Sequence, residues 1–243
     1  MYEENCFITL TLNDQYLQHR GYPSSTQKEE LQKFWKRLRK SNPNKEIRYY
    51  AASEYGDNFD RPHYHACVFN HDFDDKKFFK ISPSGERLYI SDKLHNLWTD
   101  PKSKIPMGYC YIGEITFQSV AYVARYCTKK VGGDRKEEHY TDEYGVIKEP
   151  EQQYHSIGIG RPWFEKYKED VINHDHVIIE GKSHPVPRYY DKLLERENLK
   201  LLENNKENRL ITGLKYVKDK TKERLAVRER VKLAQLKILK GTY

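Results

Sequence analysis

Hydrophobic and polar positions follow two different spacings along the first 130 residues, and each spacing predicts one kind of element. Residues 6–12 (CFITLTL) alternate between the two sides of the chain, which is typical of a half-buried strand. A helix is predicted next, because Thr26 and Glu29 form a capping-box pattern ahead of an apolar series. That series recurs at intervals of three and four residues: Leu31, Phe34, Trp35 and Leu38.

Residues 46–69 predict a pair of strands joined by the turn-forming segment 56–60 (GDNFD). Pro62 is compatible with this pair because it stands at the start of the second strand, where a missing N–H costs little. The following segment, 70–108, is mostly polar and predicts only a short helix near residues 92–98.

A further strand is predicted within residues 108–117, followed by a helix that Thr116 caps and that ends at residues 132–133 (GG). The charged residues 134–156 predict a loop. The order strand, helix, paired strands, strand, helix indicates an α+β fold with an antiparallel sheet flanked by helices.

Charge divides the 243 residues into two parts. From residue 188 to the end there are 16 Lys/Arg and 8 Asp/Glu, a net charge of +8, whereas residues 1–187 carry 27 Lys/Arg and 28 Asp/Glu, a net charge of −1. We therefore predict a folded domain over 1–187 and a basic helical C-terminal extension over 188–243. The chain also has 20 tyrosines; aromatic rings among basic residues suit unstacked bases, although most are expected to be ordinary sheet residues.

Several classes of protein are disfavoured. No apolar run approaches 18 residues and the N-terminus lacks signal-peptide features, so we expect no membrane span and no leader. The segment 181–183 (GKS) resembles the end of a phosphate-binding loop, but the glycine required five positions earlier is His176, so no nucleotide cofactor is expected. The cysteines show no C-x-x-C spacing and predict reduced core thiols of a cytosolic protein: Cys6, Cys67, Cys110 and Cys127.

Two histidines, His63 and His65, stand at positions i and i+2 of a predicted strand, so their rings share one face. Folding the hairpin symmetrically about its turn places Glu54 opposite His63, on that same face. Two imidazoles and a carboxylate suit Mn²⁺ or Mg²⁺ with open positions for phosphate and water. The alternative is a satisfied pair of sheet histidines, which is our interpretation of the second H-x-H sequence at 174–176.

The helix after residue 116 carries Tyr122 and Tyr126, one turn apart, and Lys129 beside them. A helical projection puts these three residues on the polar, cationic side, roughly opposite the apolar stripe that begins with Val120 and Val123. The alternative, two core aromatics, is disfavoured by the surrounding cations. A phenol near a divalent metal and a lysine can attack a phosphodiester, and the resulting phosphotyrosine ester keeps the bond energy, so rejoining requires no ATP.

Five segments together resemble the replication initiation proteins of small single-stranded DNA phages, the microviruses and particularly their gokushovirus branch, within the HUH endonuclease superfamily. The segments occur in the family's order and span about 190 residues: 7–12 (FITLTL), 54–66 (EYGD…RPHYHA), 121–130 (AYVARYCTKK), 160–166 (GRPWFEK) and 187–191 (PRYYD). By this resemblance, His63 and His65 are metal ligands, Tyr126 and Lys129 form the Y-x-x-K motif, and Tyr122 is the additional tyrosine of the two-tyrosine subgroup. Family members differ in what completes the metal site, so Glu54 as the third ligand rests on the hairpin geometry.

The resemblance implies an RRM-like sheet with the active site on its open face. It implies a rolling-circle replication initiator that nicks and joins single-stranded origin DNA through a covalent phosphotyrosine. Host helicase and DNA polymerase are the implied partners, in the cytoplasm of a bacterial host. Two alternatives stay open: a non-catalytic RRM-like nucleic-acid-binding module, which would bind without covalent adducts, and a transposase or relaxase of the same chemistry.

Overall fold

The computed structural model describes residues 1–21, 25–56, 59–83, 85–125 and 130–240, with side chains described as far as residue 235. Two compact units divide it, Tyr2–Ile159 and Gly160–Tyr243. The division predicted at 187/188 rests on charge alone and stays a prediction. In compactness, by contrast, the second unit begins at Gly160.

A seven-stranded antiparallel sheet organises the first unit, in the order β4-β5-β6-β1-β3-β2-β7. Its strands are β1 (Asn5–Thr11), β2 (Arg48–Tyr55), β3 (Pro62–Phe69), β4 (Lys77–Ile81), β5 (Arg87–Ile90), β6 (Cys110–Gly113) and β7 (Gln153–His155). The α+β prediction is confirmed, and the sheet with its flanking helices is consistent with the HUH nuclease fold.

Helices cover both faces of this sheet. Their bounds are α1 (Asp14–Arg20), α2 (Lys28–Ser41), α3 (Asp92–Leu97), α4 (Phe117–Arg125) and α5 (Lys136–Tyr140). The main core lies on one face, where alternate residues of β1 and β3 meet the apolar sides of the first three helices; its largest buried members include Trp35, Phe34, Trp98 and Tyr64. On the other face, α4 packs its buried Val123 against Ala52 and Cys67. Burial of these apolar side chains from water stabilises both layers.

Local patterns predicted most of these elements, and three details were wrong. Helix α2 begins after Gln27, and no side chain caps it, so Thr26 is not the N-cap that the capping box predicted. The backbone N–H of Gln27 donates instead to the hydroxyl of Tyr64, a long-range partner. Residues 130–132 are not helical, so the helix after Thr116 does not reach the glycine pair.

The third wrong detail concerns the segments predicted to be mostly irregular. Residues 70–108 contain the β4–β5 hairpin as well as the predicted short helix, and residues 134–156 contain α5 and the edge strand β7. The hairpin escapes a periodicity test because neither face of β4 is buried, so its residues show no hydrophobic alternation.

The second unit consists of α6 (Arg161–His174), β8 (His176–Ile179), β9 (Lys182–Pro185), α7 (Arg188–Glu197), α8 (Leu199–Leu214) and α9 (Lys222–Lys240). Its core joins Phe164 and Val171 of α6 to Leu193 and Leu194 of α7 and Leu202 of α8. The segment 181–183 is part of the β8–β9 hairpin. Residues 215–235 are almost entirely exposed, which matches the basic helical end of the predicted extension.

Three of the four cysteines, Cys6, Cys67 and Cys110, are free and buried, as predicted; Cys127 lies outside the described residues. Burial raises the pKa of the Cys67 thiol to about 12, which keeps it protonated and inert at neutral pH. Within the described part of the chain, no helix has the length and apolar character to cross a membrane.

Candidate metal centre

Strand register brings Glu54, His63 and His65 together on one face of the sheet. In the β2–β3 pair Glu54 stands opposite His63, as the turn-centred pairing predicted, and Ala52 stands opposite His65. Alternation along β3 turns the intervening Tyr64 into the main core and leaves both histidines on the opposite face. The prediction that these three side chains converge is therefore confirmed as geometry.

Each imidazole is held by its Nδ1 atom. Nδ1 of His63 lies 3.0 Å from the backbone carbonyl oxygen of Arg61, and Nδ1 of His65 lies 3.0 Å from Oγ1 of Thr9 on the adjacent strand β1. Both Nε2 atoms then face the same carboxylate oxygen, Oε1 of Glu54, at 2.5 Å from His63 and 3.4 Å from His65. Partners of this kind fix the tautomer and orientation of metal-binding imidazoles.

The donor set requires a positive charge at its centre. A carbonyl only accepts hydrogen bonds, so Nδ1 of His63 carries the ring proton of the neutral tautomer and its Nε2 presents a bare lone pair. A lone pair facing a carboxylate oxygen at 2.5 Å is repulsive unless a proton or a cation lies between the two atoms. The three ligand atoms lie within 4.8 Å of one another, which is consistent with one shared divalent metal ion.

Glu54 is ready to bind such a cation. Burial by itself raises the pKa of this carboxyl, which is only 4% exposed, but hydrogen bonds from His63 and His65 outweigh burial and lower the pKa to about 2. The carboxylate is therefore ionised at neutral pH while largely shielded from water. Two imidazole nitrogens and one carboxylate oxygen leave coordination positions open, as a catalytic rather than a structural metal site requires.

Helix α4 brings a tyrosine to this centre. Thr116 caps the helix as predicted: its Oγ1 accepts the N–H of Ser119, and its own N–H donates to the Ser119 hydroxyl. Six residues after Thr116, the ring of Tyr122 meets the His65 ring edge-on, with centroids 5.4 Å apart and an interplanar angle of 75°. The Arg125 guanidinium carbon lies 5.9 Å from the centre of the Tyr122 ring.

The polar-face assignment of Tyr122 needs correction. Tyr122 is half-buried and packs at the margin of the apolar cluster formed by Ala52, Cys67 and Val123, while Ala124, assigned to the apolar stripe, is exposed. A helical projection treats a helix as having one buried side, but α4 lies across a sheet face that carries the three metal-site residues, so a second flank also contacts the sheet. Tyr126 and Lys129 lie outside the described residues.

Sequence reasoning missed the residues around the triad. Thr9 was visible only as one alternate residue of the first strand, although its alternation already placed it on the same side as Phe7, whose ring stacks on His65 with centroids 5.7 Å apart. The second histidine pair, His174 and His176, lies at the junction of α6 and β8, without a carboxylate completing a cluster. Within the described ranges, the triad is the one group of three or more potential ligands.

The chain is similar to known phage proteins over most of its length. It is 32% identical over 198 residues to the replication-associated protein VP4 of Bdellovibrio phage phiMH2K, a match covering 78% of this chain and 58% of the relative. It is 35% identical over 205 residues to the replication-associated protein ORF2 of Spiroplasma virus 4, covering 80% and 59%. It is 27% identical over 206 residues to the replication-associated protein ORF4 of Chlamydia phage 1, covering 80% and 47%.

These matches span about half to three-fifths of the length of the relatives. No solved structure matches the chain. The profile of the replication-associated protein ORF2 family matches residues 5–131, which include β1, the metal-site strands and helix α4. The predicted resemblance to a microvirus-type replication initiator is thereby confirmed, and the chain belongs to the replication-associated protein ORF2 family.

Proposed function

We propose that this chain initiates rolling-circle replication by nicking and joining single-stranded origin DNA through a covalent 5′-phosphotyrosine. The observation that carries this proposal is the position of Tyr122, whose ring contacts His65 beside Glu54 and His63. A nucleophile, a set of metal ligands and a cation, Arg125, are thus gathered on one sheet face. The names of the related phage proteins, which all refer to replication, support the same conclusion.

Glu54, His63 and His65 would hold Mn²⁺ or Mg²⁺, which when bound withdraws charge from the scissile phosphate. The remaining chemistry belongs to the chain. A phenol is a weak nucleophile at neutral pH, and a nearby guanidinium favours its ionised form and the negative charge that develops on the phosphate. The phenol oxygen bonds to phosphorus, the bond from phosphorus to the 3′ oxygen breaks, and the phenol proton is transferred to the released 3′-OH.

Two tyrosines allow two cuts in succession. Tyr122 and Tyr126, one helical turn apart in sequence, would alternate: one holds the 5′ end while host polymerase extends the 3′-OH, and the other cuts the regenerated origin. The second released 3′-OH then attacks the first phosphotyrosine and closes a circle. Lys129 would assist either attack. Under this proposal the protein works with host helicase and DNA polymerase in the cytoplasm of a bacterium.

The direct test uses single-stranded oligonucleotides tiled across the replicon that carries the gene, incubated with the full chain and Mn²⁺. We expect a protein–DNA band that survives denaturing electrophoresis and disappears in chelator, with the DNA mapped by mass spectrometry to Tyr122 or Tyr126. Each single Phe substitution should keep an adduct but release no circles, and the double substitution should form none. Tyr216→Phe, an exposed tyrosine of the second unit, is the matched control and should behave as wild type.

The same experiment separates the alternatives. DNA binding without any adduct on any tile would indicate the non-catalytic module. Adducts with full circle release by Tyr122→Phe would leave Tyr126 as the sole nucleophile, as in a single-tyrosine transposase or relaxase. Undiminished nicking by His63→Ala/His65→Ala in chelator would exclude the metal assignment, whereas loss of nicking with retained DNA affinity is expected, because lysine and arginine contacts to phosphate dominate binding.

A further inference from the structure

The β4–β5 hairpin extends the sheet beyond β6, and a bulge in it turns two successive side chains to the same side. Phe78 pairs with Tyr89 and Lys80 pairs with Leu88, which leaves Phe79 as the extra residue of the bulge. Tyr89 pairs in turn with the buried Ile112, so Phe78 is on the main-core side of the sheet. Phe79 by alternation, and Lys80 by its pairing, therefore both lie on the opposite side.

That opposite side is the face of the metal centre. Tyr111 on β6 pairs with Thr9 on β1, and Thr9 pairs with His65 on β3, so the three side chains form one row across the sheet. With neighbouring strands about 4.8 Å apart, Tyr111 lies about 10 Å from His65. The ring of Phe79 stacks on Tyr111, with centroids 5.8 Å apart and an interplanar angle of 22°.

These rings are accessible and carry positive charge. Phe79 is 47% exposed, and Tyr109, two residues before Tyr111 and bonded through its backbone to Thr11, is 71% exposed. The Lys80 ammonium lies 5.4 Å from the centre of the Phe79 ring and 5.5 Å from that of Tyr111. Within the described part of the chain Lys80 forms no ion pair, so its charge is balanced by no carboxylate there. Stacked aromatics with an unbalanced cation suit an unpaired base and its phosphate.

We propose that Phe79, Tyr111 and Lys80 form a stacking subsite for a base of single-stranded DNA beside the nick site. The subsite rests on the proposed function, since it binds a flanking nucleotide of the strand whose phosphate reaches the metal centre. The base extends the Phe79–Tyr111 stack, and Lys80 contacts the adjoining phosphate. The hairpin thus adds affinity and register for the flanking strand, while the triad and the tyrosines act on the phosphate.

The chain offers a matched control in the neighbouring residue. Phe78 is also exposed (56%) on the same strand but points to the other side, with the Arg87 guanidinium carbon 5.9 Å from its ring centre. Full-length Phe79→Ala and Phe78→Ala are compared by fluorescence anisotropy with 5′-labelled (dT)16 in chelator, which prevents cleavage. The same measurement uses a 16-unit oligonucleotide of abasic sites, which has phosphates but no bases.

We expect Phe79→Ala to raise the Kd for (dT)16 about 5- to 100-fold, Phe78→Ala to change it less than twofold, and Phe79→Tyr to keep wild-type affinity. On the abasic oligonucleotide Phe79→Ala should equal wild type. Lys80→Gln should weaken binding to both probes and reduce the slope of log Kd against log salt by about one. Equal losses for the two alanine variants, or an equal loss for Phe79→Ala on both probes, would overturn the subsite.

Two further results keep this proposal separate from the nickase proposal and from protein docking. Absence of covalent adducts in wild type, with the base-dependent loss intact, refutes the nickase and leaves base stacking standing; adducts in wild type without the base-dependent loss refute the subsite alone. A wild-type dimer by light scattering that Phe79→Ala converts to a monomer without loss of DNA affinity would show a self-association surface and overturn the subsite.

Discussion

Removing the hydroxyl of Tyr64 tests how strand β3, which carries both histidines, is held against helix α2. This hydroxyl is fully buried; it accepts the Gln27 backbone N–H at 2.7 Å and donates to Oε2 of Glu30, with the Gln27 carbonyl oxygen 3.1 Å away. Burial raises the pKa of Glu30, against which Arg20 and the Tyr64 hydroxyl stabilise the carboxylate. Tyr64→Phe therefore leaves an N–H without its acceptor and a buried carboxylate with one donor fewer.

A buried donor without a partner costs about 1–3 kcal/mol, and a hydrogen bond to a charged group contributes about 1.5–3 kcal/mol. Because Glu30 keeps Arg20, we expect Tyr64→Phe to lower the free energy of unfolding by about 2–4 kcal/mol, a large part of a typical total of about 5–15. The matched control is Tyr49→Phe, in the same core: its ring stacks on Trp35 at 4.0 Å, and its hydroxyl has no hydrogen-bond partner among the described residues.

The assay is urea unfolding of both variants followed by far-ultraviolet circular dichroism. Tyr49→Phe should change stability by no more than about 0.5 kcal/mol. Since the Tyr64 ring points away from the face that carries His63 and His65, the folded Tyr64→Phe variant should bind Mn²⁺ like wild type. A loss below about 1 kcal/mol, or one equal to that of the control, would refute the view that this hydroxyl fixes β3 to the start of α2.

Three other outcomes are expected. Mn²⁺ at about 100 times its Kd should stabilise the folded chain by about 2.7 kcal/mol and raise the Tm of the first unit by about 5–10 °C; His65→Ala should abolish this rise and His176→Ala should keep it, and an equal rise in both would contradict the triad. Gly108→Ala should destabilise by about 1–3 kcal/mol or more in urea unfolding, because its Cβ would lie 2.1 Å from a backbone oxygen of β1, whereas Gly113→Ala meets only ordinary contacts and should be nearly neutral. Deleting residues 222–243, which carry seven Lys/Arg and two Asp/Glu, should leave adduct formation intact and make the salt dependence of DNA binding shallower; an unchanged slope would exclude the last helix as a DNA contact.

The charge-based extension illustrates how far composition alone reaches. The excess of basic residues after position 188 is a property of the sequence, and the exposed helix α9 agrees with it. Which part of that segment is separable is a matter of packing: Leu193, Leu194 and Leu202 are buried with Phe164, so a deletion from 188 onward would remove part of a core. The deletion proposed above therefore begins at 222.

The sequence by itself determined the features whose signals are local. Strand β1 follows from alternation, and the pairing of Glu54 with His63 follows from a hairpin folded symmetrically about its turn, so the triad could be predicted without any distant contact. Thr116 likewise caps α4 through Ser119, three residues away. Each of these depends on side chains within about ten residues of one another.

Tertiary structure alone decided what depends on distant pairings. Strand β1 lies between β3 and β6, and only that order places Thr9 beneath His65 and Tyr111 two strands from it, because residues far apart in the chain become neighbours only through the sheet. The side of α4 that meets His65 depends on how the helix crosses the sheet, which a projection of one isolated helix does not contain. The bulge at Phe79 carries no periodic signal, since an extra residue interrupts the very alternation by which a strand is recognised.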